Sequence, residues 1–267
     1  MAHPIRLHVR HHCSRTTQCH ACSPLFSLTY SLSCSFSYRN NRSELDLSGR
    51  HIDDAGAKAL AQSLNTDLSR NVVSNMWKLD LSRNNIAAEG AAAIAAKLKQ
   101  NGVLRELHMN GNKLGDRGAM AMAEALKENK VLHRLAIGLN QIGIAGANAV
   151  AEMLKMNSEL RYLELGMNNI GDAGASAIGP ALTQNKALTT LWLGSNGIGN
   201  PGAKALAISV QQNDYLMHLM VEDNPFDDHQ AHAEMDKAVT KNRRGAYPDG
   251  DPGADVPPPS PKARVEL

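Results

Sequence analysis

Cysteines, aromatic residues and long apolar runs are scarce in most of this chain of 267 residues. All four cysteines lie within the first 34 residues, so no disulfide frame can hold the rest together, and stability must come from packing, as suits the cytoplasm. No stretch approaches 18 uncharged apolar residues, which argues against a membrane span. The net charge of +2 lacks the basic excess that is typical of nucleic-acid binders.

The two ends differ in composition from the middle. Residues 1–41 are rich in Ser, His, Arg and Cys and precede the first acidic residue, Glu44. This segment resembles an organelle transit peptide, with a disordered extension or a start codon placed too far upstream as alternatives. Its cysteines and histidines are zinc-type ligands but lack a second well-spaced pair. Residues 244–267 contain six of the eleven prolines, which predicts a disordered tail with polyproline character.

The middle, residues 42–243, repeats with a period of 28, which is the signature of a solenoid of about six units. The first half of each unit reads L-x-x-L-x-L-x-x-N-x-I. The L-x-L alternation predicts a short strand with one buried face. An asparagine side chain can both donate to and accept from turn backbone, so we predict a structural asparagine ladder. Its members are Asn84, Asn112, Asn140, Asn168, Asn196 and Asn224.

The second half of each unit reads G-A-x-A-L-A-x-x-L, and its apolar residues at i and i+4 predict one buried helix face. We predict Asp116, Asp172 and Asn200 as helix N-caps, with Pro201 at the first helical position. A second asparagine column is predicted to close the helices in the left-handed conformation. It comprises Asn101, Asn129, Asn157, Asn185 and Asn213.

This pattern over residues 42–243 resembles the ribonuclease-inhibitor-like class of leucine-rich repeats. The class includes the ribonuclease inhibitor, the Ran GTPase-activating protein and the repeat domains of NOD-like receptors. The resemblance implies an α/β fold, a right-handed horseshoe solenoid with a concave parallel sheet and convex helices. It is specific for the fold and not for the function.

Several positions depart from the repeat. Arg50 replaces the first ladder asparagine, and an extra segment around residues 67–71 delays the second unit. That segment is a bulged loop, or a scar of a duplication or of a gene-model error. Pro180 stands inside a predicted helix, which should therefore kink or end early. Residues 228–243 lose the Gly-Ala signature and read as a terminal capping helix.

Motifs that suggest chemistry have a simpler explanation in the repeat. Gly197–Gly202 matches G-x-G-x-x-G, but its glycines continue repeat columns. His229 and His232 lie one helical turn apart without a specified third metal ligand. No nucleophile–base pair and no pair of carboxylates stands out. We therefore predict no enzyme activity, no cofactor and no metal.

The solvent-facing strand positions are more informative, because one half is charged and the other is aromatic. Exposed tryptophan and tyrosine are over-represented at binding hot spots, although each also fits a half-exposed strand position. Gly166 and Gly194 are expected to leave open space for a partner side chain. The predicted partner-binding residues are Tyr162, Glu164, Trp192, Met220, His218, Arg134 and His108.

The sequence thus predicts a monomeric, non-catalytic protein-interaction scaffold. The alternatives are a small-GTPase regulator resembling the Ran GTPase-activating protein and a cytoskeletal or axonemal component. Against the former, that family usually has an acidic C-terminal segment, whereas this chain ends in a proline-rich one. Pro258 and Pro261 form a PxxP motif that could dock an SH3 or WW domain. No nucleic-acid or membrane partner is expected.

Overall fold

The structure is a computed structural model and describes residues 36–39, 42–64 and 76–246. Residues 1–35 of the N-terminal extension, the extra segment at 67–71 and the proline-rich tail from residue 247 lie outside the described residues, and so do the cysteines and the PxxP motif.

One open sheet follows the chain from its first strand to its last, in the order β1 to β8. The strands are β1 (Phe36–Arg39), β2 (Arg42–Asp46), β3 (Met76–Asp80), β4 (Glu106–His108), β5 (Arg134–Ala136), β6 (Tyr162–Glu164), β7 (Thr190–Trp192) and β8 (His218–Met220). β1 pairs with β2 antiparallel, and every later pair is parallel. Because each parallel pair is joined by a helical crossover, the chain forms the expected right-handed solenoid with a concave sheet and convex helices.

Each repeat adds one helix to the convex layer. The helices are α1 (Asp54–Ser63), α2 (Ala88–Leu98), α3 (Gly115–Glu128), α4 (Ile144–Met156), α5 (Gly171–Gln184), α6 (Asn200–Gln211) and α7 (His229–Ala246). The glycine of the Gly-Ala signature is buried because neighbouring helices approach closely there. A Cβ atom at Gly174 would lie 2.5 Å from Ile170 and 2.9 Å from Ala147. No described helix is long and apolar enough to cross a membrane.

The core is aliphatic, as the low aromatic content requires. The central leucine of each strand from β3 to β7 is at most 1% exposed, and it packs on the helix residues that recur at i and i+4. The last strand differs, because its Leu219 is only half-buried. Among the described residues the array therefore ends at β8, with α7 packed against α6 and β8.

The first asparagine column links neighbouring turns by hydrogen bonds. The Asn168 amide donates to the carbonyls of Ile137, in the preceding repeat, and Leu165, in its own. Its oxygen accepts from the backbone N–H groups of Asn140 and Ile142. One side chain thus satisfies four backbone groups at a buried turn.

The second asparagine column differs from the prediction in its backbone. Asn129, Asn157 and Asn185 have φ between −68° and −87° and are extended rather than left-handed. Each donates to two carbonyls of the preceding repeat and accepts from N–H groups two and three residues ahead, as Asn157 does. The extended backbone turns the side chain inward and makes a second ladder.

The left-handed residues instead precede the first ladder. Arg83, Leu139, Met167, Ser195 and Asp223 all have φ between 52° and 57°. They stand at the turn that directs the chain from the sheet to the helices.

The predicted helix caps are wrong in a consistent way. Asp116 lies inside the first turn of α3, and its carboxylate accepts from Gly143 and Gly146 at the start of α4. Asp172 of α5 bonds in the same way to the start of α6. Asn200 also lies inside its own helix, α6, and accepts from Asp227 and Asp228 of the following turn. Each of these side chains is therefore hydrogen-bonded to the following turn or helix start.

Of the two alternatives for Pro180, an early end of the helix is wrong, because α5 continues to Gln184, and a kink stays a prediction. Pro180 lies on the exposed side, where water can solvate the carbonyl that loses its hydrogen bond. The adjacent Gly179 is required by packing, since a Cβ atom there would lie 2.6 Å from the Ser209 hydroxyl of α6. Pro201 stands in the first turn of α6 as its second residue rather than its first, because the helix already begins at Asn200.

Candidate functional site

The in-register pairing of β3 to β8 aligns two columns of side chains on the concave face. In β4 to β8 one column begins each strand and the other ends it, and in β3 the two columns hold Lys78 and Asp80. Arg134 pairs with Tyr162, and Tyr162 pairs with Thr190. In the second column, Glu164 pairs with Trp192 and Trp192 pairs with Met220. The concave face is therefore a grid with one residue per strand in each column.

A charged cluster occupies β4 and β5. The Glu106 carboxylate lies 3.4 Å from His108 Nε2 and 3.7 Å from Arg134 Nε. Burial alone would raise the pKa of Glu106, but the hydrogen bond with His108 and the charges of Arg134, His108 and Lys78 lower it overall. The negative charge of Glu106 is thus compensated by positively charged side chains of the same chain.

Arg134 also connects this cluster to the aromatic half. Its guanidinium carbon lies 4.1 Å from the centroid of the Tyr162 ring, which is a cation–π geometry. Tyr162 is only 9% exposed, so the expectation that it points freely into solvent is wrong. Burial, with the nearby Glu164 charge, raises the pKa of Tyr162, which keeps its hydroxyl protonated. Tyr162 lies between Arg134 and Glu164 and is not a free contact residue.

Glu164 lies on β6, between Ala136 of β5 and Trp192 of β7. Its carboxylate accepts a hydrogen bond of 2.8 Å from the Asn110 amide and a longer one of 3.4 Å from the Tyr162 hydroxyl. Asn110 in turn accepts from the Gly138 backbone N–H at 2.7 Å, which fixes its orientation. Burial raises the pKa of Glu164, and the opposing contributions of His108, Asn110, Tyr162 and Arg134 do not offset it.

Asn110 is a site residue that the sequence reasoning did not select. It stands one residue past the L-x-L motif, in the column otherwise filled by serine, glycine and glutamate. The available signal was that this column holds a polar amide at Asn110, whereas the next repeats hold glycine there.

Trp192 and Met220 form the second group on this face, and both are half-buried. The Trp192 indole lies over Gly166, which follows the neighbouring strand β6, and over Gly194, which follows its own strand β7. A Cβ atom would lie 3.2 Å from its Nε1 at Gly166 and 2.8 Å from it at Gly194. The expectation of open space beside these glycines is therefore wrong, because the indole itself fills that space.

The seven predicted partner-binding residues thus fall into two groups. His108, Arg134, Tyr162 and Glu164 belong to one network, joined through Glu106 and Asn110. Trp192 and Met220 are neighbours, and His218 starts the strand that carries Met220. Burial, together with the charge of Arg243 on α7, lowers the pKa of His218 and favours its neutral form.

The glycine motif at residues 197–202 has no free anion-binding amides at two of its positions. The N–H groups of Gly199 and Gly202 both donate to Asp172, at 2.7 and 2.9 Å. A phosphate would have to displace that carboxylate. Among the residues that the structure describes, no group of three or more His, Cys, Asp or Glu side chains is placed to hold a metal.

The comparisons with known proteins identify the repeat. The family model described as leucine-rich repeat matches residues 43–61, 74–95, 100–123, 157–179 and 184–207. The search of curated proteins finds no match.

Two solved structures share the architecture. Leiomodin-1 actin-binding site 2 is 25% identical with a TM-score of 0.54, and the alignment covers 58% of this chain and 90% of that one. The Caenorhabditis elegans tropomodulin C-terminal domain is 14% identical with a TM-score of 0.52, and the alignment covers 60% of this chain and 95% of that one.

Proposed function

Because this chain is a leucine-rich-repeat protein, we propose that it is a non-catalytic binding module that holds a partner protein on the concave face of its sheet. The observation that carries the proposal is the half-buried pair Trp192 and Met220 beside the Glu164 network. An apolar patch on a polar surface is typical of an interaction site.

Many charged side chains of the convex face have structural partners. Ion pairs there join side chains within or between helices, such as Lys127 with Glu124 and Lys155 with Glu152. The helix carboxylates Asp116 and Asp172 are used in capping. The concave grid, in contrast, brings aromatic, apolar and ionisable groups together without such a structural role for Trp192.

Actin is the candidate partner that one specific observation favours. The solved structure of leiomodin-1 that shares this fold is an actin-binding site, and the alignment spans nine-tenths of that chain at 25% identity. The likeness to tropomodulin supports the fold alone, since only 14% of the residues are identical. We therefore propose actin as the first partner to test.

The experiment is co-sedimentation of the full chain with filamentous actin, together with a binding titration against monomeric actin. Wild type is compared with Trp192→Ala and with Ile208→Ala, which removes a large apolar side chain that is 59% exposed on the convex helix α6. We expect Trp192→Ala to weaken binding and Ile208→Ala to leave it unchanged. Binding that Ile208→Ala weakens and Trp192→Ala does not would place the interface on the convex side. Absence of actin binding would leave the partner to be found by affinity capture.

A further inference from the structure

The concave face holds a carboxylate that forms no ion pair in the free protein. Glu164 is half-buried, and its hydrogen-bond donors are the neutral Asn110 and Tyr162. Among the described side chains, none forms an ion pair with it. A buried carboxylate without a cation is unfavourable, because the neutral donors only partly replace its hydration.

The nearby cations are committed elsewhere. Arg134 is stacked on Tyr162 and pairs with Glu106, and His108 is hydrogen-bonded to the same Glu106. Two carboxylates on one surface therefore have opposite electrostatic environments. Glu106 forms ion pairs within the chain, whereas Glu164 forms none, and the nearby charges of His108 and Arg134 do not offset its burial.

The surroundings of Glu164 suit the hydrocarbon part of a long side chain. Trp192 is its direct partner on the next strand and presents a half-buried indole. On the other side of that indole, the exposed Glu222 lies beside Gly194, whose Cβ position is 3.1 Å from the Glu222 carbonyl. The indole thus lies between Glu164 of β6 on one side and the backbone of Glu222, in the turn after β8, on the other.

We propose that the concave surface recognises a protein segment carrying an arginine or lysine, whose cationic group pairs with Glu164 while its hydrocarbon stem lies along the Trp192 indole. The inference rests on the proposed concave-face function and adds the chemistry of the partner. Charge complementarity of this kind fixes specificity. Arg134 on the Tyr162 ring shows the same arrangement of cation and aromatic ring within this chain.

The test uses the full chain and a displayed library of random linear peptides as the probe. Selected peptides whose binding is lost with Trp192→Ala are synthesised, and their affinities are measured for wild type and Glu164→Gln. Each peptide is also made with its basic residue replaced by norleucine. Glu164→Gln is nearly isosteric and can still accept from Asn110. Glu222→Gln removes an exposed carboxylate nearby and serves as the matched control.

We expect the selected peptides to share an arginine or lysine. Replacing the basic residue of the peptide should weaken binding about tenfold or more, and so should Glu164→Gln. The two losses of binding free energy should not add, because both changes break the same ion pair. Glu222→Gln should have a smaller effect. Two results would overturn this inference and leave the concave-face function standing. One is that the Trp192-dependent peptides contain no basic residue, and the other is that the losses of binding free energy in the peptide and in Glu164→Gln add. Selected peptides that bind equally well to Trp192→Ala would contradict both.

Discussion

At the scale of single residues, the concave face contrasts a carboxylate that stabilises the fold with one that costs stability. Cations lower the pKa of Glu106 despite its burial, whereas burial raises the pKa of Glu164 above its usual 4.5. A residue kept where its charge is unfavourable is typical of a functional position, because the cost is recovered when a partner supplies the missing charge.

This contrast predicts a pH-dependent gain from Glu164→Gln. Since the folded pKa of Glu164 is raised, folding favours its protonated form, and that contribution is lost as the pH rises through the folded pKa. The variant should therefore have a higher melting temperature than wild type at neutral pH, and the difference should shrink near the usual carboxylate pKa. Thermal unfolding across this range measures it, with Glu222→Gln as an exposed control. A lower melting temperature of Glu164→Gln at neutral pH would show that the charge stabilises the fold.

The first asparagine ladder provides a matched pair of neighbours. The Asn168 side chain now bonds to two carbonyls and two N–H groups in a buried turn, and Asn168→Ala leaves all four without a partner. We predict that the free energy of unfolding falls by about 3 kcal/mol or more. Asn169 is exposed and its side chain takes no part in the ladder, so Asn169→Ala should change stability by less than about 0.5 kcal/mol. Denaturant unfolding compares the two, and equal losses would contradict the structural role of the ladder.

At the scale of elements, alternate helices are capped by the helix before them. Asp54, Asp116 and Asp172 lie in the first turns of α1, α3 and α5 and bond to the starts of α2, α4 and α6. The column Gly115, Gly143, Gly171 and Gly199 has φ of 56°, −104°, 60° and −92°. The structural unit of the convex side therefore spans two repeats.

This arrangement predicts which helix responds to a cap mutation. Asp116→Ala should destabilise the protein by about 1 kcal/mol, the usual value of an N-cap. Hydrogen exchange should accelerate in the first turn of α4, at Gly146 and its neighbours, rather than in α3, where Asp116 resides. Arg117→Ala, at the next and exposed position, is the control. Faster exchange confined to α3 would refute the cross-repeat cap.

The capping also shows what sequence could and could not predict. The strand leucines and the i, i+4 helix face follow from periodicity, and the structure places them in the core. Whether a carboxylate caps its own helix or the next one depends on its distance from the neighbouring repeat. A single column of the sequence does not contain that distance. An alternation was visible, because Asp116 and Asp172 alternate with Ile144 and Asn200.

The site was less predictable than the fold for the same physical reason. Period-2 alternation assigns a side chain to the concave face, but its exposure depends on side chains from adjacent strands. Arg134 covers Tyr162, and the Trp192 indole covers the two glycines next to it. These contacts between adjacent strands depend on the register between repeats. The sequence columns therefore identified residues of the site but not which of them contact one another.

At the scale of the whole molecule, the described chain is a one-dimensional array whose two ends differ. β1 extends the sheet antiparallel to β2 and lies within the predicted N-terminal extension. At the other end, α7 covers α6 and contacts β8, while Leu219 remains half-buried. Each repeat contacts mainly its neighbours, so a partner that contacts the whole concave face has to span several strands.

The most direct test of the account is the effect of Trp192→Ala on the affinity for the identified partner, measured beside its effect on stability. A binding site centred on Trp192 predicts that affinity falls by about 2 kcal/mol or more, the scale of an interface hot spot. The melting temperature should fall far less than in Leu191→Ala, which removes a core side chain with 0% exposure on the same strand. Unchanged affinity with intact folding, or unfolding as severe as that of Leu191→Ala, would contradict a concave binding site centred on Trp192.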